Sequence, residues 1–163
     1  MSFQFLGLLP AKNEFRLVLL ERSTEDGFIV RAHKKVNVPE FGSREQELSW
    51  VYTNVLESAG KLGIESACVV QGALNTTSNT DAVLHRAQVE GVILAALGAL
   101  KTDVSLMKKA GIVTKFGLKR GSNVSDIPQL QAIRGDNGMP KHFDEALAAA
   151  LFASRQESLV STT

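Results

Sequence analysis

The sequence predicts an α/β domain built on a five-stranded mixed sheet, with its first three strands antiparallel and helices on both faces. Three observations carry that expectation. Three apolar or alternating segments follow one another between residues 3 and 38 with only short links, the pattern of an antiparallel meander. From residue 43 onward, segments with helical spacing alternate with short apolar runs, and such alternation favours parallel strands with crossover helices. No repeat or linker divides the 163 residues, a length that suits one domain.

Each element has its own warrant. FQFLGLLP (3–10) is short, apolar and closed by Pro10, and EFRLVLLE (14–21) is a second strand of the same kind. STEDG (23–27) reads as a hairpin turn into the half-exposed strand GFIVRAHKKVNV (27–38). Residues 43–63 place Leu48, Val51, Val55, Leu56 and Leu62 at helical spacing. Ser43 and Gln46 suggest a capping box there, and Gly63 a C-cap. IESACVVQG (64–72) is apolar throughout, as a central parallel strand is. A polar loop (75–80) leads to a helix over 81–100 capped by Thr80 or Asp81, then to a short strand, DVSLM (103–107). A weak helix and a Gly/Ser/Asn loop fill 108–126, a short helix 127–135, and the last helix 141–155. The expected domain is 1–155, with 156–163 a disordered tail.

Composition removes several function classes. The chain is 44% hydrophobic and 21% charged, which supports an ordinary core, and its net charge of +1 is silent about nucleic acid. Cys68 is alone in an apolar run, and His33, His85 and His142 lack zinc spacing. No uncharged apolar stretch reaches about 18 residues. The N-terminus lacks a basic start and a cleavage site. The expected setting is cytoplasmic, with no membrane partner. Phosphate-binding Gly-rich loops and a Gly-x-Ser-x-Gly elbow are both missing from the sequence.

The element order is that of RNase H-like folds, and Gly7-Leu8-Leu9-Pro10-Ala11, Gln88-Val89-Glu90-Gly91-Val92 and His142-Phe143-Asp144-Glu145-Ala146-Leu147-Ala148, taken in that order, resemble the RuvC-type Holliday junction resolvases. The resolvase pattern Gly-Ile-Asp-Pro-Gly at the end of the first strand is matched by Gly7-Leu8-Leu9-Pro10-Ala11. An acid that ends their fourth strand is matched by Gln71, and their Gln-Ala-Arg-Gly-Val by Gln88-Val89-Glu90-Gly91-Val92. Their lysine-bearing helix resembles the segment at Lys108-Lys109. Their last helix resembles His142-Phe143-Asp144-Glu145-Ala146-Leu147-Ala148.

The resemblance implies a metal site, and the departures from it argue against one. In active members, carboxylates on the first strand, fourth strand and last helix hold two divalent metals that drive phosphodiester cleavage. Magnesium or manganese prefers charged oxygen ligands. Leu9 supplies no oxygen and Gln71 only an amide carbonyl, so two formal charges are missing. Asp144 and Glu145 remain as the candidate catalytic or metal-binding remnant, with His142 beside them. The favoured reading is the plainer one, that they are ordinary acids for a helix's first turn. Glu14, Glu21, Glu65 and Asp81 are the candidates for relocated ligands, Glu21 first among them, although a solvated strand-end acid is the favoured reading of Glu21.

Lys108, Lys109, Lys115, Lys119 and Arg120 put five positive charges and no acid into residues 108–120. This is the candidate nucleic-acid-binding segment, or else a solvated basic loop. Lys34-Lys35 reads as an edge-strand guard. His85 or Arg86 could line the cleft, but a surface position is the favoured reading. The expected function is a RuvC-like protein without catalysis and without a cofactor, binding branched or duplex DNA or a protein partner. The alternatives are an active Mg- or Mn-dependent structure-specific endonuclease and a structural subunit. A homodimer through the Ala/Leu/Gly-rich helix 88–100 is the expected oligomer.

Overall fold

The computed structural model describes residues 2–23, 27–73 and 79–160, with side chains as far as Arg155. The strands are β1 (Ser2–Pro10), β2 (Glu14–Ser23), β3 (Phe28–Asn37), β4 (Ser66–Gln71) and β5 (Asp103–Lys108). The helices are α1 (Arg44–Gly60), α2 (Thr80–Ala99), α3 (Lys109–Lys115), α4 (Pro128–Asn137) and α5 (Asp144–Val160). Single 3-10 turns at Val124–Asp126 and Lys141–Phe143 lead into α4 and α5. One sheet holds all five strands in the order β3-β2-β1-β4-β5. β1, β2 and β3 are antiparallel neighbours, while β4 runs parallel to β1 and β5 parallel to β4. The mixed sheet and its antiparallel first three strands are as the sequence predicts. The central part of the predicted hairpin at 23–27 and most of the polar loop at 75–80 lie outside the described residues.

Strand alternation divides the core into two layers. Phe5, Val18, Leu20, Cys68 and Val70 pack with α3, α4 and α5. Leu6, Leu8, Phe15, Leu19, Ala67 and Val69 pack with α1 and α2 on the other face. Strand β4 is covered on both faces, so Ser66 to Val70 are all buried, which explains a run with no polar phase. Cys68 is wholly enclosed there. Burial pushes its thiol up to about 11, against a weak hydrogen bond from Ser105.

Helix α5 lies against the middle of the sheet, and residues Ala146 to Ala153 are all buried. An apolar circumference is therefore what its position demands. Its contact with β1 is backbone to backbone. A Cβ on Gly7 would overlap the Ala146 carbonyl and lie 2.5 Å from the Ala150 nitrogen. Glycine on the strand and alanines on the helix let the two approach to this distance.

Several local expectations are corrected. Ser43 does cap α1, accepting from the Gln46 amide at 3.3 Å, but the C-cap is Lys61 rather than Gly63. Helix α2 is capped by Asn79, whose side chain accepts from the Asp81 amide at 3.0 Å, rather than by Thr80 or Asp81. Asn is at least as good an acceptor there. The backbone of α5 continues helical to Val160, past the expected end at 155. Helix α2 is long and apolar enough by length and composition to cross a membrane. Here Val89, Ile93, Ala96 and Leu97 are instead buried beneath α1 and the sheet.

The Gly7 contact makes a sharp prediction. Gly7→Ala must push α5 off the sheet, since backbone atoms cannot rotate away. The expected loss is about 3 kcal/mol or more, read as a lower urea midpoint. Gly72→Ala meets only the flexible Arg86 side chain and should cost far less.

Candidate functional site

Parallel pairing brings the C-terminal ends of β1, β4 and β5 to one edge of the sheet, the usual place for a site in such folds. A cleft of about 410 Å³ opens there between the end of β1 and the start of α5. Leu9 and Arg16 form its sheet side, and the β1–β2 register sets them directly opposite each other. Lys109 from the start of α3, Asn123 and Ser125 from the turn before α4, and Lys141, His142, Asp144 and Glu145 complete the walls.

The two acids have separate surroundings. Asp144 is buried and ion-paired with Arg134 of α4. Its Oδ1 is buried with no partner among the described residues. Burial raises its carboxyl above the ordinary aspartate range, and the Arg134 charge and hydrogen bond pull it partly back. Glu145 is about a third exposed, with Lys109 Nζ 3.8 Å away. The carbonyl of His142 accepts from Arg16 Nη1 at 3.0 Å, while its ring lies 4.4 Å from that of Phe143.

This donor set does not fit a pair of divalent ions. No group of three metal-binding side chains converges among the described residues. Each cleft acid already has a cationic neighbour, and the β1 position opposite Arg16 is occupied by the hydrocarbon of Leu9. Gln71 is half-buried at the end of β4, in register with Lys108 of β5, and does not line the cleft.

None of the candidate relocated ligands reaches the cleft. Glu21 lies toward the opposite end of the sheet, in register with Gln4. It is nearly buried and held by Arg31 at 2.7 and 3.0 Å, so it is neither solvated nor available to a metal. That hydrogen-bonded arginine lowers its carboxyl below the ordinary glutamate range. Glu14 pairs with Lys35 at 2.9 Å, and Glu65 and Asp81 are exposed. His85 and Arg86 are half-buried on α2, outside the cleft.

Of the predicted basic residues, Lys109 is brought into the cleft. Lys108 is exposed at the end of β5, and Lys115, Lys119 and Arg120 are exposed on the end of α3 and the loop after it. The root of that loop is fixed: the Arg155 guanidinium lies 3.9 Å over the Phe116 ring and donates to the Lys115 carbonyl. Positive φ at Gly117 and Gly121 turns the chain there. Arg16 is the site residue that sequence reasoning missed. Its signal was present, because Arg16 shares the inward phase of β2 with Val18 and Leu20.

Three solved structures share this architecture. Thermus thermophilus RuvC in complex with a Holliday junction substrate superimposes with a TM-score of 0.73 at 15% identity, over 91% of each chain. A second Thermus thermophilus RuvC structure gives 0.69 at 15% identity, over 93% of this chain and 91% of that one. The yeast mitochondrial Holliday junction resolvase gives 0.64 at 10% identity, over 93% and 75%. The fold is therefore the RuvC-like form of the RNase H-like fold. No family model and no curated protein matches the sequence.

Two measurements check the acid geometry. Arg134→Ala strands a buried carboxylate and should cost about 3 kcal/mol in urea unfolding. Asp144 binds its proton more tightly folded than unfolded. The wild type therefore loses stability as pH rises above 3.8, the ordinary aspartate value. Asp144→Asn has no titrating carboxyl there, so its stability relative to wild type should improve as pH rises from about 4.

Proposed function

We propose that this protein binds DNA, branched or duplex, and does not cleave it. The observation that carries the reading is the pairing of both cleft acids with cations, Asp144 with Arg134 and Glu145 with Lys109, beside an exposed basic segment. The structural neighbour that holds a Holliday junction supports DNA as the partner. Lys108 is exposed at the same end of the sheet, while Lys115, Lys119 and Arg120 carry the basic surface along α3 and the loop after it, and together they supply charge that attracts a phosphate backbone. The protein acts as a homodimer in this reading. Leu84, Gly91, Ala95 and Ala99 are exposed on the outward side of α2, a small and apolar surface suited to close helix contact.

In a gel-shift assay the protein should retard a four-way junction equally in EDTA and in magnesium, leaving every strand intact. Affinity should fall steeply with salt, and replacing Lys115, Lys119 and Arg120 with Ser should flatten that dependence. Strand cleavage in magnesium or manganese that Glu145→Ala abolishes would establish the endonuclease instead. Failure to bind any DNA would leave the structural subunit. Sedimentation should give twice the chain mass, and Ala95→Glu should reduce it to one.

A further inference from the structure

Resting on the DNA-binding reading, we propose that the cleft is a metal-free phosphate seat in which Arg16, Lys109 and Lys141 hold a backbone phosphate of an uncut strand. The side chains that line the cleft carry three cations and two carboxylates, a formal charge of plus one. A dication entering it would meet repulsion. A phosphodiester, with its single negative charge, meets attraction.

The chemistry of Arg16 makes it the centre of the seat. A guanidinium presents five N–H donors in a fork that matches two phosphate oxygens. Nη1 of Arg16 donates to the His142 carbonyl at 3.0 Å, and Nη2 stands 3.5 Å from Glu14, at the long end for an ion pair. Its Nε is buried with no acceptor among the described residues. The group is thus positioned by a backbone carbonyl, while Nη2 of this partly exposed side chain holds only a long ion pair that an incoming anion can replace. Strand pairing fixes it opposite Leu9, so its positive charge stands beside an apolar side chain on the sheet side of the cleft.

The other walls agree. Lys109 is half exposed and 3.8 Å from Glu145, so its ammonium can turn toward a ligand without leaving a tight pair. Lys141 is exposed at the opposite lip, and Asn123 and Ser125 add neutral donors from the turn. The two carboxylates are accounted for: Asp144 is engaged by Arg134, and Glu145 lies against Lys109.

The test is fluorescence anisotropy with a labelled four-way junction and a duplex of matching sequence, in EDTA, across a series of sodium chloride concentrations. Arg16→Gln and Lys109→Gln should each lower affinity about tenfold and reduce the salt slope by roughly 0.9, the value for one lost phosphate contact. Arg16→Lys should keep the slope and recover part of the affinity. Circular dichroism and a urea midpoint confirm folding. Should Arg16→Gln unfold, the exposed Lys109→Gln carries the decision. Wild-type affinity and slope in both cleft variants, with binding lost in the Lys115/Lys119/Arg120 triple variant, would overturn the phosphate seat and leave DNA binding standing. A wild type that binds neither DNA would remove both. Tighter binding on adding magnesium at matched ionic strength would overturn the metal-free seat.

Discussion

The architecture depends on one close approach, where α5 touches β1 at Gly7. Packed layers are ordinarily held apart by their side chains, stacked sheets by about 10 Å. Here the strand has no side chain and the helix offers only alanine, so backbone meets backbone. That contact anchors α5 lengthwise as well as laterally. It fixes the start of the helix, and with it Asp144 and Glu145, beside the end of β1. Ser66, whose hydroxyl donates to the Ala153 carbonyl at 2.9 Å, ties the far half of the helix to β4. The cleft lies between the end of β1 and the start of this helix.

Electrostatics then decide what the cleft can hold. Coulomb energy between close charges depends on effective dielectric, and partial burial lowers that dielectric. Asp144 shows the balance directly: desolvation outweighs the adjacent arginine, so its carboxyl sits above the usual range despite an ion pair. A buried acid in that condition serves to join α4 to α5, and its free oxygen is a cost of the position. Glu145, exposed and loosely paired, contributes little to stability, about 0–1 kcal/mol. Two neighbouring acids on one helix thus have different tasks because one faces inward and the other faces solvent.

Much of the fold was legible because hydrophobic periodicity changes where the topology changes. The apolar run of β4 announces a strand covered on both faces, whereas the close approach at Gly7 emerges only from the packing of α5 on β1. Local chemistry was harder to read. Asn79, Thr80 and Asp81 are all competent caps, and only the chain's path selects among them. The charged residues were hardest. Arg134 and Asp144 are ten positions apart on different helices, and no periodicity links them. Arg16 is masked for another reason: β2 reads as an apolar run, and only the strand's period sets this arginine in phase with Val18 and Leu20. The same holds for Glu21, where a strand-end acid was expected in solvent and cross-strand Arg31 holds it instead.

The enclosed Cys68 has a practical corollary. As the only sulfhydryl in the chain, shielded in the central strand and kept protonated by its surroundings, it is poorly disposed to react with maleimides or oxidants while the sheet is intact. A spectroscopic label attached through a newly introduced surface cysteine would therefore report from that chosen position, and the native residue need not be engineered away first.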